Sequence, residues 1–435
     1  MVRETAGTGA DTDINPPRFG GSLRLGWTIW GLAALFYCFE FFIRISPGVL
    51  VQPMMREFGA DAASLGNLSA FYFYAYAAMQ IPVGLILDRF GPSRALSAAA
   101  AIYVAGNLLL GLAPSLAVAD LGRLIGGLSG AMGFLGALAL GALWLPPQRL
   151  GLVTGLTMAA GTVGAIVSQA PLALLVDRFG WHHAMLGAAG FGLVLAAVLW
   201  LLLRDPDWFA KRPRHHRHGV WRSLIAVLRD RQMWMIAVVA ASSSAPALAF
   251  GGLWSLSYLT EVQHLTRPHA ALINSLLLGG WALGGSGLGW ISDRLGRRKG
   301  PLLGVLTLGF AVWAVMPFLP PVSAWLLGPI YVLLGVAGGS LMAAFALSQE
   351  VAPPRAGNTA SGVVNTLNIG IAAAMQPLFG WILDNGWQGH MAHGIRLYGA
   401  ADFSHAMLLF PLIAAIGFVA ALGIRETYCR RLHAI

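Results

Sequence analysis

The chain repeats two different landmarks at nearly the same spacing, and this repetition narrows the folds open to it. The first landmark runs from Gly84 to Arg94 and returns from Gly289 to Lys299, with its Gly, Asp, Arg, Gly and final basic residue all displaced by 205 positions. The second is the pair Gln169 and Asp177, which returns as Gln376 and Asp384, displaced by 207 positions. Two landmarks repeated at one period indicate a tandem duplication of a unit of about 200 residues.

Composition identifies the environment of that unit. Of the 435 residues, 57% are hydrophobic and only 11% are charged, whereas soluble domains carry about 25% charged residues. A helix needs about 20 apolar residues to cross a bilayer. Twelve such runs occur, near 26–47, 64–87, 95–113, 120–143, 151–176, 184–203, 233–259, 270–291, 301–319, 324–348, 358–383 and 403–423. The sequence predicts an all-α integral membrane protein with twelve transmembrane helices in two pseudo-symmetric six-helix bundles.

The distribution of basic residues predicts the topology. Of the 28 Lys and Arg residues, 22 fall in segments on the same side as the N-terminus and four fall in loops on the other side. By the positive-inside rule this bias places both termini in the cytoplasm. The net charge of +10 therefore reflects topology and not a nucleic-acid partner. The expected segments are an N-terminal tail (1–23), a first bundle (24–203), a basic cytoplasmic linker (204–231), a second bundle (232–424) and a C-terminal tail (425–435).

Several other classes of protein are disfavoured. Residues 1–22 are polar and lack a cleavage pattern, so we interpret them as a tail and not as a removed signal. Cys38 and Cys429 lie too far apart in this arrangement to pair. The tract from Arg214 to His218 has no carboxylate or cysteine to complete a metal site, and is interpreted as a basic segment near the lipid. No nucleotide-binding loop or metalloprotease motif occurs, so no cofactor or metal is expected and the energy source would be a gradient.

The repeated turns also divide each half. Asp-Arg-Phe-Gly-like turns end runs 2, 5, 8 and, in degraded form, 11, with spacings of 89 and 91 residues within the two halves. This pattern fits inverted three-helix units nested in parallel halves.

The segments Gly84–Arg94 and Gly289–Lys299 resemble the loop signatures of the major facilitator superfamily, and Gly122–Gly127 is similar to its fourth-helix signature, with Gly126 where Gln is usual. The stretches Phe42–Pro47 and Phe71–Tyr76 resemble a bacterial branch of amino-acid and organic-acid permeases.

The resemblance implies a gating role for the two loops. In this family the loop aspartate locks the two halves together in one state and releases them in the other. The competing interpretation is a turn that carries only positive-inside charges, and the recurrence of Asp88 as Asp293 favours gating. The predicted gating residues are Gly84, Asp88, Arg89, Gly91, Arg94, Gly289, Asp293, Arg294 and Gly296.

Two charges inside the first apolar run are the strongest candidates for chemistry. Glu40 and Arg44 are four residues apart and share a helix face. Each charge near the bilayer centre costs about 2.5–3.5 kcal/mol on insertion scales, so such a pair is tolerable only against a wet cavity or in a mutual salt bridge. The functional hypothesis is that Arg44 holds a substrate carboxylate or phosphate and Glu40 carries the coupling proton. The alternative is an intrahelical salt bridge, or Arg44 reaching toward the membrane surface.

Other polar residues are candidates for the same cavity. Tyr72, Tyr76 and Gln80 form one polar-tipped stripe at helical spacing, which suits either a cavity wall or packing against helix 11. Asn365, Asn368 and Gln376 lie in helix 11, and bind either substrate or a neighbouring helix. Arg123 is interpreted either as a rim ion pair with Asp120 or as a group that tunes a proton-accepting carboxylate. Pro246 predicts a kink in helix 7, and Trp254 and Tyr258 are predicted to be membrane-interface residues.

The predicted function is secondary active transport of a small polar solute, anionic or zwitterionic, by alternating access and with proton-coupled uptake. Efflux of amphiphilic drugs and a non-transporting membrane sensor are the alternatives, and an enzyme is disfavoured because no nucleophile–base or metal constellation occurs. The expected setting is a monomer in a bacterial inner membrane, with the small solute, protons and the bilayer as its partners.

Overall fold

A computed structural model describes residues 23–206, 218–353, 356–392 and 395–432. The predicted N-terminal tail and much of the predicted linker lie outside these residues. Twelve helical spans long and apolar enough to cross a membrane occur in the described part of the chain. They are span 1 (Leu23–Ile45), 2 (Ala62–Phe90), 3 (Pro92–Gly111), 4 (Leu116–Trp144), 5 (Pro147–Phe179), 6 (Trp181–Leu202), 7 (Arg231–Glu261), 8 (Arg267–Leu295), 9 (Lys299–Phe318), 10 (Ala324–Val351), 11 (Gly357–Gly386) and 12 (Ala400–Leu422). The predicted twelve-helix membrane fold is confirmed.

Several spans are built from two helices. Span 1 is continued by a second helix, Pro47–Phe58, after a break at Ser46. Span 5 has a short 3₁₀ turn before its first helix, and span 9 has one after its helix. The component helices are Leu116–Gly130 and Met132–Trp144 in span 4, Leu150–Val167 and Ala170–Phe179 in span 5, Arg231–Ala249 and Ser255–Glu261 in span 7, Lys299–Val315 in span 9, Ala324–Gly338 and Leu341–Val351 in span 10, and Ala400–Met407 and Leu409–Leu422 in span 12.

Span 7 departs from the sequence prediction. Its helix continues through Pro246, and the irregularity follows as a π-helical turn at Phe250–Trp254. Trp254 and Tyr258 are not interface residues, since their side chains are 1% and 2% exposed. The Trp254 indole donates to the backbone oxygen of Gln376 at 3.1 Å, which explains why an amphipathic ring lies in the interior.

Two small elements lie outside the spans. The helix His218–Arg229 precedes span 7, and its Leu224 and Val227 side chains pack into the core formed by the last six spans. Between spans 11 and 12, the two-residue strands β1 (Met391–Ala392) and β2 (Ile395–Arg396) pair antiparallel.

The spans present two faces. The basic face is the one that holds the start of span 1 and the span 2–3 and 8–9 turns, and the charge bias predicts that it is cytoplasmic. The closed face is the opposite one, which holds the helix Pro47–Phe58 and the span 7–8 and 11–12 connections.

Packing along two seams distinguishes these faces. We define the 2–11 seam and the 5–8 seam as the contacts between the spans so numbered, which join the first six spans to the last six. Near the closed face, a Cβ added at Gly66 would lie 2.7 Å from the Gln376 carbonyl oxygen, and one added at Gly380 would clash with the Ala62 carbonyl oxygen. Near the basic face, Gly84 and Gly362 have no such neighbour within 4 Å. The backbones of spans 2 and 11 therefore pack against each other at the closed face, and Gly84 and Gly362 take no part in such a contact.

Candidate functional site

The site begins where span 1 breaks. Pro47 has no backbone N–H, so the Ile43 carbonyl loses its helical hydrogen bond and needs another donor. The Ser46 hydroxyl donates to this oxygen at 2.9 Å, and Arg123 Nη1 donates to it at 3.0 Å. Arg123 Nη2 donates to the Arg44 carbonyl at 3.3 Å. A guanidinium from span 4 thus caps the broken end of span 1.

This geometry corrects the ion-pair interpretation of Arg123. The side chain is 1% exposed, and its hydrogen bonds among the described residues go to the backbone of span 1 and not to Asp120. The Arg123 guanidinium also lies 4.6 Å from the centroid of the Tyr72 ring. Arg123 is therefore a positioning residue, which fixes the backbone that carries Arg44.

Glu40 and Arg44 form the buried centre of the site. Arg44 Nε donates to Glu40 Oε1 at 2.8 Å, and Arg44 Nη2 lies 2.6 Å from the same oxygen. Glu40 is 0% exposed and Arg44 is 5% exposed, so the pair points into the protein and away from lipid. The Tyr72 hydroxyl donates to Glu40 Oε1 as well, while Glu40 Oε2 has no hydrogen bond within the described residues.

Aromatic rings enclose the Arg44 guanidinium. Its Cζ atom lies 4.2 Å from the Phe41 ring centroid and 4.3 Å from the Tyr76 ring centroid. Such contacts stabilise a cation by about 0.5–2 kcal/mol, more where water is excluded. The Tyr103 hydroxyl donates to the Glu40 backbone oxygen at 2.8 Å, which adds span 3 to the cluster.

Glycines of span 4 make room for this cluster. A Cβ at Gly130 would clash with the Tyr72 hydroxyl and would lie 3.1 Å from Glu40 Cγ, and one at Gly127 would clash with the Tyr72 carbonyl oxygen. Small residues allow close helix approach in membranes. Here they also allow Tyr72 to reach Glu40, so the glycine stripe of span 4 belongs to the site.

The other predicted substrate residues form a separate group. Asn365 Nδ2 donates to Gln80 Oε1 at 3.0 Å, which joins spans 11 and 2 across the two halves. Asn368 is buried, and its Oδ1 has no hydrogen bond among the described residues. The structure therefore brings Glu40, Arg44, Tyr72, Tyr76 and Arg123 together. Among the described residues, no hydrogen bond or ion pair joins Gln80, Asn365 or Asn368 to that cluster.

Tyr103 and Phe41 were missed by the sequence analysis. Both are aromatic residues inside apolar runs, and nothing in their spacing separates a site residue from a packing residue.

The two predicted gating loops lie at the basic face. Gly91 and Gly296 end spans 2 and 8 with φ of +86° and +62°, a conformation that favours glycine. Asp293 forms a 2.8 Å ion pair with Arg298, whose guanidinium also contacts Glu350 at 2.9 Å, all within the last six spans. Gly84, Asp88, Arg89 and Arg94 are exposed, and Gly289 is half-buried. Arg294 lies against the Trp290 ring.

The closed face is held by residues to which the sequence analysis gave no role. Asp177 at the end of span 5 pairs with Arg267 at the start of span 8, and Arg267 Nη2 donates to the Val49 carbonyl at 2.6 Å. Asp384 at the end of span 11 accepts from the backbone N–H of Ala63 at 2.8 Å and of Ala62 at 3.2 Å. These aspartates are the repeated pair of the second landmark, and each one crosses a seam between the halves.

Two groups at this face have shifted pKa values. Burial and a 2.6 Å hydrogen bond to Asp384 raise the pKa of Tyr398 above its usual range, so its hydroxyl stays protonated and donates. Burial acts to raise the pKa of Asp61, but hydrogen bonds from Ser64 outweigh it and hold that pKa below the usual range. Asp61 therefore stays ionised as the N-cap of span 2.

Known proteins resemble the chain over most of its length. The Probable sulfoacetate transporter SauU of Cupriavidus necator is 26% identical over 82% of this chain and 87% of its own. A Probable hexose phosphate transport protein of Chlamydia pneumoniae is 24% identical over 86% of this chain and 88% of its own. A crystal structure of a bacterial homolog to the human lysosomal transporter Spinster, inward-facing and unoccupied, superposes with a TM-score of 0.75 and 19% identity, and covers 93% of this chain and 98% of that one.

The family assignment rests on a separate comparison. The sequence model described as Major Facilitator Superfamily matches residues 30–377, which is most of the chain and includes every residue of the Glu40–Arg44 cluster. The chain is a multi-pass membrane protein that belongs to the Major Facilitator Superfamily.

Proposed function

We propose that the protein is a secondary active transporter that takes up a small organic anion together with protons. The observation that carries this proposal is the buried Glu40–Arg44 pair, enclosed by Tyr72, Tyr76 and Phe41 and held in place by Arg123. A guanidinium with aromatic walls suits a carboxylate, sulfonate or phosphate group, because its N–H donors match two oxygens at once.

Charge balance supports an anionic substrate. Among the described residues, the only charged side chains buried near the middle of the spans are Glu40, Arg44 and Arg123. With Glu40 ionised, the cluster carries one net positive charge, which a singly charged anion neutralises. A doubly charged anion is balanced only when Glu40 takes up a proton. The two relatives carry names of transporters for sulfoacetate and for hexose phosphate, which are both anions.

The coupling of anion transport to proton uptake depends on one carboxylate oxygen of Glu40. Arg44 and Tyr72 both bind Glu40 Oε1. A substrate that draws Arg44 away removes the cation that stabilises the ionised carboxylate, so binding favours the protonated form of Glu40. Substrate binding thereby recruits a proton, which gives symport. The bound site then changes access as the first six spans and the last six rock against each other about the two seams.

The proposed orientation places the basic face, both termini and the Arg204–Arg231 linker in the cytoplasm of a bacterial inner membrane, with the protein acting as a monomer. The bias of 22 Lys and Arg residues against four supports this orientation. Labelling of Lys211→Cys by an impermeant thiol reagent in intact cells would contradict it.

Transport in proteoliposomes tests the function. Sulfoacetate, glucose 6-phosphate and the lipophilic cation tetraphenylphosphonium are offered under an imposed pH gradient. We expect accumulation of an anion and none of the cation. Glu40→Gln should abolish gradient-driven accumulation while preserving anion exchange, because exchange needs no net proton movement.

Arg44 variants provide the matched control. Arg44→Lys keeps the charge but loses two-point recognition, so we expect the KM of the anion to rise about tenfold or more, equivalent to about 1.4 kcal/mol. Proton-driven accumulation that survives Glu40→Gln would remove Glu40 from coupling. Export of the cation, or binding of an anion without any flux, would instead support drug efflux or a sensor.

A further inference from the structure

The 2–11 seam and the 5–8 seam are related by the repeat, but their polar contacts near the closed face differ. Each seam has a glutamine eight residues before its closed-face aspartate, Gln169 before Asp177 and Gln376 before Asp384. Both glutamines are completely buried. Their equivalence allows the two seams to be compared position by position.

In the 5–8 seam the glutamine has a partner across the halves. Asn274 Nδ2 of span 8 donates to Gln169 Oε1 at 2.8 Å, and also lies 2.8 Å from the Gly251 carbonyl oxygen in the π-helical turn of span 7. This amide bond ties span 5 to span 8 and holds the turn of span 7 beside them. The closed 5–8 seam therefore gains a hydrogen bond between the halves, while Asn274 Oδ1 makes no hydrogen bond with the described residues.

In the 2–11 seam the equivalent contact is missing. Spans 2 and 8 are both 29 residues long and are displaced by 205 positions at both ends, so the position of Asn274 is occupied in span 2 by Ser69. Ser69 is 1% exposed and Gln376 is 0% exposed. Ser69 Oγ, Gln376 Nε2 and Gln376 Oε1 make no hydrogen bond with any residue that the structure describes.

Ser69 and Gln376 lie on segments of spans 2 and 11 whose backbones pack together, and the Gln376 amide lies near span 7. Gly66, one turn before Ser69 on the same side of span 2, packs against Gln376 and Pro377 so closely that an added Cβ would lie 2.5 Å from Pro377 Cα. Gln376 Nε2 in turn lies 3.9 Å from the Cβ position of Gly252 in span 7. Serine is shorter than asparagine, and the direct bond of the other seam is not formed here.

We propose that Ser69 and Gln376 are built-in destabilisers of the closed 2–11 seam, and that they set the balance between the two access states against the stabilising Gln169–Asn274 bond. A buried polar group without a partner costs about 1–3 kcal/mol. This cost applies only while the seam is shut, because separation of spans 2 and 11 at the closed face exposes the groups to water. The inference holds whatever solute is carried.

The test compares equivalent substitutions in the two seams. Ser69→Ala and Gln376→Leu remove unpaired polar groups, so they should favour the closed seam. Gln169→Leu removes a bonded group and leaves Asn274 short of a partner, so it should favour opening. About 1 kcal/mol in either direction corresponds to about a fivefold change in the population ratio. Ser69→Asn should also favour closure, because it supplies the longer amide that span 8 already has.

The populations are measured without substrate by pulsed electron spin resonance distances. Spin labels at Leu112→Cys and Trp325→Cys, two exposed closed-face positions in opposite halves, report the opening in a background of Cys38→Ser and Cys429→Ser. We expect shorter distances to gain population in Ser69→Ala and Gln376→Leu, and to lose population in Gln169→Leu. Shifts of the same sign in all three variants, or no shift in Ser69→Ala and Gln376→Leu, would overturn the proposal. Arg44→Ala serves as a separate control, since its loss of anion binding tests the proposed function and not the seam.

Discussion

The first six spans and the last six share a frame but differ in charge. Spans 2 and 8 have the same length and a constant displacement of 205 positions, and the landmark aspartates of spans 5 and 11 both cross a seam at the closed face. At that displacement, Glu40, Arg44 and Arg123 correspond to Ala245, Ala249 and Gly328. The frame is therefore common to both halves, while, among the described residues, the charges buried near the middle of the spans belong to the first half.

The first spans of the two halves also differ in how their irregular turns are satisfied. The span 1 break leaves the Ile43 carbonyl to Ser46 and to the cationic Arg123, whereas the span 7 turn offers the Gly251 carbonyl to the neutral amide of Asn274. Both spans need a side-chain donor because both lose regular helical hydrogen bonds. A neutral amide is sufficient as the donor to such a carbonyl, so the arginine in the first half must serve a second purpose. We interpret that purpose as the supply of positive charge beside the anion site.

Substitution of Arg123 is expected to have the largest effect on stability and transport. Arg123→Met removes two hydrogen bonds from a charged donor and leaves the Arg44 carbonyl without that bond, so we expect the free energy of unfolding to fall by about 2–4 kcal/mol. Transport of the anion should fall by about a hundredfold or more, because the backbone that presents Arg44 loses its anchor. Chemical unfolding in detergent and proteoliposome uptake measure the two effects.

Asn274→Ala is the matched change in the other half. It removes neutral hydrogen bonds, so the loss of unfolding free energy should be smaller, about 1–2 kcal/mol. The KM for the anion should change by less than a factor of three, because, among the described residues, Asn274 makes no hydrogen bond to the Glu40–Arg44 cluster. Equal losses of anion affinity in both variants would show that turn capping alone, and not charge, explains Arg123.

The sequence predicted the frame well, because hydropathy depends on residues close in the chain and the landmark repeat is visible in the order of residues alone. Glu40 and Arg44 were predicted for the same reason, since four-residue spacing in a helix places them together. The contacts of Arg123 could not be predicted, because they depend on how far span 4 approaches the break of span 1. The closed-face role of Asp177 and Asp384 likewise depends on which spans meet across the halves, and the repeat alone does not say so.

The next expected effect separates the two gating loops. Asp88 and Asp293 are equivalent in sequence, and Asp293 is ion-paired with Arg298, which also binds Glu350. Glu350 lies at the end of span 10. The equivalent end of span 4, from Leu145 to Arg149, contains no acidic residue. We expect Asp88→Asn to slow the exchange between access states about tenfold, equivalent to about 1.4 kcal/mol in the barrier, with anion affinity within a few-fold of the original.

Asp293→Asn should slow the same exchange by less than a factor of three, because Arg298 keeps Glu350 and the pair at Asp293 is exposed to solvent. Exchange is followed by the interconversion rate of a fluorophore pair across the basic face. If Asp88→Asn lowers affinity and leaves the exchange rate unchanged, the loop is part of the binding site and not a gate.

Substitution of the two acidic residues that cap the starts of spans 3 and 9 is expected to have the smallest effect on stability. Asp205 accepts from the backbone N–H of Ser93 at 3.0 Å, and Glu426 accepts from those of Arg298 and Lys299 at 2.8 and 2.9 Å. Burial acts to raise the pKa of Glu426, but these backbone hydrogen bonds outweigh it and hold that pKa below the usual glutamate range. Glu426 therefore stabilises the fold above the usual glutamate pKa of about 4, and this contribution is lost as the pH falls through the lower folded value.

Glu426→Gln should lower the free energy of unfolding by about 0.5–1 kcal/mol at pH 7, with the difference from the original protein shrinking toward pH 3. Asp205→Asn should cost less at pH 7, because one backbone donor depends on it and four depend on Glu426. A loss that stays constant from pH 7 to pH 3 would assign the effect of Glu426 to side-chain packing and not to its charge.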